Sequence, residues 1–207
     1  MNSAKAIILG VTGGIACGKT ETGRILSADG FMVLDSDFLA HELMGKGRPV
    51  YEQVVEHFGR AILAENEEIN RTKLGQIVFA DPQERAVLNR LVHPSVLKNA
   101  HEWIEACREA QEDAAVLVPL LFESGWTKGW DAVLCVTAPE EQIFQRLENR
   151  GFLKKDAVKR IEAQMSLIEK AALADFVIEN DGTLESLRCR VCDLVEVIRC
   201  EKRKSYE

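Results

Sequence analysis

"GVTGGIACGKT", Gly10–Thr20, follows the apolar run "AIILGV" and leads into "KTETGRILSADG". This order of strand, glycine turn and helix decides the fold. Gly13–Thr20, "GGIACGKT", meets the spacing G-x-x-x-x-G-K-[ST] in the context that the spacing requires. Glycine permits the tight turn and lets backbone N–H groups approach phosphates, while the next helix offers the positive end of its dipole. Lys19 is placed to bridge the β- and γ-phosphates, and Thr20 to set its hydroxyl on Mg²⁺. The segment Gly13, Gly14, Ile15, Ala16, Cys17, Gly18, Lys19, Thr20 and Glu21 therefore reads as the cradle of a nucleoside triphosphate. Cys17 inside it is either a thiol whose pKa the helix dipole and Lys19 lower, or an inert small residue filling the loop.

Working outward, four more β-rich runs recur: "FMVLD" (Phe31–Asp35), "AAVLVPLLF" (Ala114–Phe122), "DAVLCVTA" (Asp131–Ala138) and "DFVIEN" (Asp175–Asn180). Continuous apolar runs of this length are expected of strands buried on both faces. Between them lie stretches with helical spacing, such as "PEEQIFQRLENR" and "DAVKRIEAQMSLIEKAALA". The alternation predicts an α/β fold with a five-stranded parallel sheet covered by helices. The interval of about residues 39–112 contains helical patterns, "RPVYEQVVEHFG" and "PSVLKNAHEWIEACREA" among them, and no convincing strand. It is too long for an ordinary crossover and is expected to be a helical insertion within one unit of residues 1–207.

Composition narrows the function classes. At 207 residues and 46% hydrophobic, the chain suits one core domain with an insertion. A formal net charge of −7 argues against nucleic-acid binding through the overall field, so an anionic ligand must meet a local basic patch. The opening "MNSAKAIILGVTGG" lacks the order of a secretion signal and its apolar run is too short to span a bilayer, so a cytoplasmic protein without a membrane partner is expected. Six cysteines then read as reduced thiols, and "CRVC" (Cys189–Cys192), lacking a second pair, as part of an amphipathic carboxyl-terminal helix. Trp126 and Trp130 read as packing residues.

The use of the triphosphate follows from what accompanies the cradle. Neither the D-x-x-G nor the N-K-x-D string of a switch GTPase is present, and "VLVPLLFE" has proline where a motor ATPase carries its strand-ending acid. The carboxylates come instead from "VLDSDFLAHEL": Asp35 ends a strand and Asp37 follows, at the sheet edge where open α/β folds collect ligands. One of them can take a proton from an attacking hydroxyl while the other orients water on Mg²⁺ or a basic side chain; Asp37 also suits a helix N-cap. "RLENRGFLKKDAVKRIEAQ", about residues 146–160, gathers Arg146, Arg150, Lys154, Lys155 and Arg160 around the hinge-like Gly151, as a basic lid over a migrating phosphoryl group would. Arg150, then Arg146, are the candidates for that contact. Phosphoryl transfer to a small hydroxyl acceptor is favoured over a nucleotide-driven binding module.

These segments resemble the dephospho-coenzyme A kinase family. "GVTGGIACGKT", "VLDSDFLAHEL", "NRTKLGQIVF", "LNRLVHPSV", "VPLLFESG", "RIEAQMS" and "ADFVIENDGTLESL" occur in that family's order over nearly the whole chain. The resemblance implies a three-layer P-loop kinase fold with an acceptor-binding helical insertion and a lid. It also implies ATP, with Mg²⁺, as phosphate donor and the ribose 3′-hydroxyl of dephospho-coenzyme A as acceptor. Asp37 falls at the family's base, beside Asp35; Lys19 and Thr20 fall at the ATP and Mg²⁺ positions, and Arg150 matches the lid arginine. Arg71 and His93, the latter in a His-Pro pair with Pro94, match acceptor-side positions, and His93 equally suits a structural role. The chain departs from the family in having Ala16 and Cys17 where Gly-Ser is usual, Gly151 where Asp is usual, and Lys170 near a common arginine. Alanine restricts the backbone at residue 16, and lysine lacks the bidentate fork at residue 170, which leaves it outside the catalytic set.

Overall fold

The computed structural model describes residues 6–204. Five strands, β1 (Ile8–Gly13), β2 (Met32–Asp35), β3 (Ala114–Leu117), β4 (Ala132–Thr137) and β5 (Phe176–Glu179), form one parallel sheet in the order β2-β3-β1-β4-β5. β1 and β3 are buried at every position, and β4 at all but its last, which is why they read as unbroken apolar runs. The helices are α1 (Lys19–Ala28), α2 (Ser36–Leu43), α3 (Pro49–Phe58), α4 (Arg71–Ala80), α5 (Pro82–Ala110), α6 (Glu140–Asn149), α7 (Lys154–Glu162), α8 (Leu167–Leu173) and α9 (Leu184–Lys204).

Alternation along β1 assigns its side chains to two covered faces. Leu9 and Val11 share a core with Leu134 and Val136 of β4, Leu26 of α1, and Leu187, Val191, Val195 and Ile198 of α9. The spacing of those four α9 residues gives one apolar stripe, and each buried side chain contributes about 2 kcal/mol of apolar transfer free energy. On the opposite face a side chain at Gly10 would lie 3.0 Å from both Leu121 and Trp130, so glycine there lets those large residues close over the sheet. Trp126 and Trp130 stack with ring centroids 4.6 Å apart, and the Trp130 indole donates to the Trp126 carbonyl at 2.9 Å, in keeping with packing. Cys189 and Cys192 sit within α9.

The chain divides into two compact units, one formed by residues up to Asp35 and from Ile104 onward, the other by Ser36–Trp103. The second is helical, with a core of its own around Val54, Ile62, Leu74, Val92 and Val96, and its extended pairing among the described residues is a single Leu63–Ile69 bridge. Within it α3 begins at Pro49 and stops at Gly59, whose φ of 76° ends the helix. α4 begins where the Asn70 side chain accepts from the amides of Thr72 and Lys73, both at 3.1 Å.

Two boundaries differ from the reading of the sequence. β3 ends at Leu117 and not at Phe122: Pro119 brings no N–H to a ladder, and the chain turns through Leu120–Gly125. α5 starts at Pro82 and runs through Pro94, so the pattern "PSVLKNAHEWIEACREA" is the later part of a longer helix, because Leu88, Leu91 and Val92 carry the same apolar stripe toward Val96.

Candidate active site

The glycine-rich turn joins β1 to α1 as a closed loop. Gly13, with φ 141°, sits where a Cβ would lie 2.2 Å from the Val136 carbonyl oxygen, and Gly18, with φ 112°, where one would lie 2.3 Å from Asn180 Nδ2. Neither position admits another residue without moving backbone or a buried side chain. Ala16 adopts φ 58°, a left-handed conformation that costs alanine about 1 kcal/mol or more. Tertiary donors hold this turn from outside. Arg146 Nη1 donates to the carbonyl oxygens of Ala16 at 3.1 Å and Cys17 at 3.4 Å, and Asn180 Nδ2 donates to that of Cys17 at 2.8 Å. A peptide whose carbonyl is fixed outward has its N–H fixed the opposite way. The Cys17 carbonyl belongs to the same planar peptide as the Gly18 N–H, so holding that carbonyl fixes the orientation of the Gly18 amide as well.

Lys19 Nζ donates to the carbonyls of Gly13 at 2.9 Å and Gly14 at 2.7 Å, which holds the ammonium across the loop. Thr20 is exposed in the first turn of α1, and Glu21, next to it, pairs with Arg24 at 2.8 Å. Ile15 packs on the sheet core. Cys17 corrects one alternative of the sequence reading. Its side chain is 0% exposed, and burial pushes the thiol pKa up, outweighing the opposing attraction of Lys19. It is a packing residue, not an activated thiol.

The candidate lid residues separate by environment. Arg146 is spent on the loop carbonyls, with its Nη2 on Gln142 Oε1 at 2.8 Å and the Asn180 carbonyl at 3.1 Å, so it supports the cradle in this structure. Lys154 lies 6.0 Å over the Phe144 ring and the Arg160 guanidinium 4.6 Å over Phe152. Arg150 is exposed at the C-cap of α6, beside Gly151, whose φ of 82° makes the turn into α7.

Asp35 closes β2 and is half-buried; Asp37 is exposed in the first turn of α2, where the helix dipole favours its charge. Arg71 belongs to the same unit as Asp37, and its Nη2 donates to the His41 carbonyl of α2 at 3.2 Å, tying α4 to the helix that carries Asp37. His93 is half-buried in the middle of α5.

The family model of dephospho-CoA kinase matches residues 7–186. The chain belongs to the dephospho-CoA kinase family. A dephospho-CoA kinase from Carboxydothermus hydrogenoformans is 42% identical over 191 residues, covering 91% of this chain and 93% of the relative. A solved structure from Thermus thermophilus superposes with a TM-score of 0.76 at 32% identity, covering 93% of this chain and 98% of the other. A dephospho-CoA kinase from Campylobacter jejuni does so with 0.68 at 26% identity, covering 92% and 96%. The three-layer P-loop kinase fold expected from the sequence is the fold of this dephospho-CoA kinase family member.

Two residues of this site escaped the sequence reading. Asn180 ends the β5 run and signalled itself only as a polar residue closing an apolar strand; Gln142 gave no signal beyond helix surface. Their consequence is testable at Gly18. Gly18→Ala is expected to weaken ATP binding about tenfold to a hundredfold, measured by calorimetry, because a left-handed alanine and the Asn180 clash oppose the same turn. Unchanged affinity would contradict the clamp. For His93, burial lowers the imidazole pKa below its ordinary 6.5, so the folded chain binds fewer protons there than the unfolded chain. Its contribution to stability is present above the unfolded value and is lost as pH falls through the folded one. Urea denaturation at pH 7.5 and pH 5 is expected to show a smaller pH-dependent loss for His93→Gln than for the parent chain.

Proposed function

We propose that this chain transfers the γ-phosphoryl group of ATP to the 3′-hydroxyl of dephospho-coenzyme A, with Asp37 as the base. Family membership carries the activity itself, ATP-dependent phosphorylation of dephospho-CoA in coenzyme A biosynthesis. The observation that supports the mechanism is the loop Gly13–Thr20, whose Ala16 and Cys17 carbonyls are held by Arg146 and Asn180. Its amides and Lys19 bind the β- and γ-phosphates, with Lys19 leaving the carbonyls of Gly13 and Gly14 for the phosphate oxygens.

Asp37 accepts the proton of the 3′-hydroxyl as that oxygen forms its bond to the γ-phosphorus. The bond from the γ-phosphorus to the β–γ bridging oxygen breaks, and ADP leaves. Arg150 stabilises charge on the equatorial oxygens of the migrating group, and the segment 146–160 excludes water. Arg71 and His93 hold the acceptor, and Asp35 orients it. The donors present suit Mg²⁺: the Thr20 hydroxyl is exposed in the first turn of α1, and a hard cation completes its shell with phosphate oxygens and water. When bound, Mg²⁺ neutralises charge on the β- and γ-phosphates.

No helix among the described residues is long and apolar enough to cross a membrane, and we place the reaction in the cytoplasm without nucleic-acid or membrane partners. The test is an acceptor panel: purified protein with labelled ATP is offered dephospho-coenzyme A, nucleosides and nucleoside monophosphates. Label is expected in dephospho-coenzyme A alone. Preferential labelling of a nucleoside or its monophosphate, or ATP consumption without any labelled acceptor, would overturn the assignment.

A further inference from the structure

Lys170, on α8, has a side chain 0% exposed, and lysine is almost never fully buried unless paired. Its Nζ donates to Glu123 Oε1 at 2.8 Å and to the Pro119 carbonyl at 2.6 Å, both in the turn that follows β3. Glu123 Oε1 also accepts from the Met165 amide at 2.9 Å, immediately before α8. One carboxylate therefore grips α8 at its entrance and at its centre. The Ser166–Glu169 capping box fixes the first turn between those two points.

Both ends of this network reach the phosphate loop. The Pro119 carbonyl is shared with the hydroxyl of Thr12, the fully buried residue just before Gly13, at 3.4 Å. The Leu167 side chain, at the start of α8, lies 3.5 Å from where a Cβ on Gly14 would be. The Gly14 carbonyl in turn accepts from Lys19 Nζ and from the Cys17 amide. Replacing a buried ion pair by well-packed apolar residues is often neutral or stabilising, so net stability alone does not account for this pair.

We propose that Lys170 and Glu123 form a positioning pair that seats α8 against Gly14 and so holds the phosphate loop in its nucleotide-binding shape. This goes beyond the assigned reaction and rests on the loop being the ATP site. The proton state of the substrate is untouched by it. What the pair sets is the affinity for ATP, more than the rate of transfer once ATP is bound.

The test uses the full chain and two variants, Glu123→Gln and the apolar double replacement Lys170→Met/Glu123→Leu, with Lys170→Arg as the conservative control. ATP affinity is read by calorimetry without acceptor, kcat at saturating ATP by turnover, and folding by Tm. The Kd for ATP is expected to rise about tenfold in both variants, with kcat changed less than threefold and Lys170→Arg within threefold of the parent. Wild-type ATP affinity in either variant, or a fall in Tm without a rise in Kd, would overturn the proposal. Because binding is measured without acceptor, failure here is distinct from failure of the activity, which would appear as a parent chain that binds ATP and leaves dephospho-coenzyme A unphosphorylated.

Discussion

Asp37→Asn is expected to lower kcat about 10³-fold while changing the Kd for ATP less than twofold, because removal of a positioned base sacrifices roughly 10²–10⁴ in rate. The side chain is exposed in the first turn of α2, so the isosteric amide disturbs neither a core nor a helix interior. Single-turnover measurement with preformed enzyme–ATP complex isolates the step. Asp35→Asn is the informative companion: it is expected to act mainly on acceptor KM, since Asp35 ends β2, two residues before Asp37. An Asp37→Asn protein with near-normal turnover would rule out Asp37 as the base.

Arg150→Ala is expected to lower kcat by a comparable factor of about 10³, the loss that follows removal of an arginine from the charge of a transferring phosphoryl group. Arg150→Lys recovers little of it, since an ammonium cannot present the planar fork to two phosphate oxygens at once. The neighbouring cations supply the contrast. Lys154 and Arg160 rest over Phe144 and Phe152, and Lys154→Ala is expected to change kcat no more than about threefold. Equal losses at Arg150 and Lys154, measured under saturating substrates, would mean that the basic segment acts as a diffuse field.

The sheet and the loop were legible for a local reason. β1, β3 and β4 are covered on both faces, which forces continuous apolar runs, and the phosphate turn needs glycine at Gly13 and Gly18 because backbone or Asn180 occupies the space of a Cβ. What was not legible is what reaches the loop from far along the chain. Arg146 binds Ala16 across 130 positions and Asn180 binds Cys17 across 163, and no spacing rule encodes such contacts. Arg146, which the sequence offers as a contact for the migrating phosphoryl group, has its Nη1 on the loop carbonyls in this structure. Cys17 turned on a competition of two effects: Lys19 and the helix dipole were visible in sequence, whereas the burial that outweighs them was not. Lys170 lacks an arginine's fork, and its burial beside Glu123 is a contact across 47 positions that no local pattern announces.

The most direct test of the central claim is the position of the new phosphate. Purified protein is incubated with ATP and dephospho-coenzyme A, and the product is examined by phosphorus–proton correlation NMR. Coupling of the added phosphorus to the ribose H3′ is the predicted result. Coupling to H2′, or recovery of ADP and inorganic phosphate with the acceptor unchanged, would contradict the account.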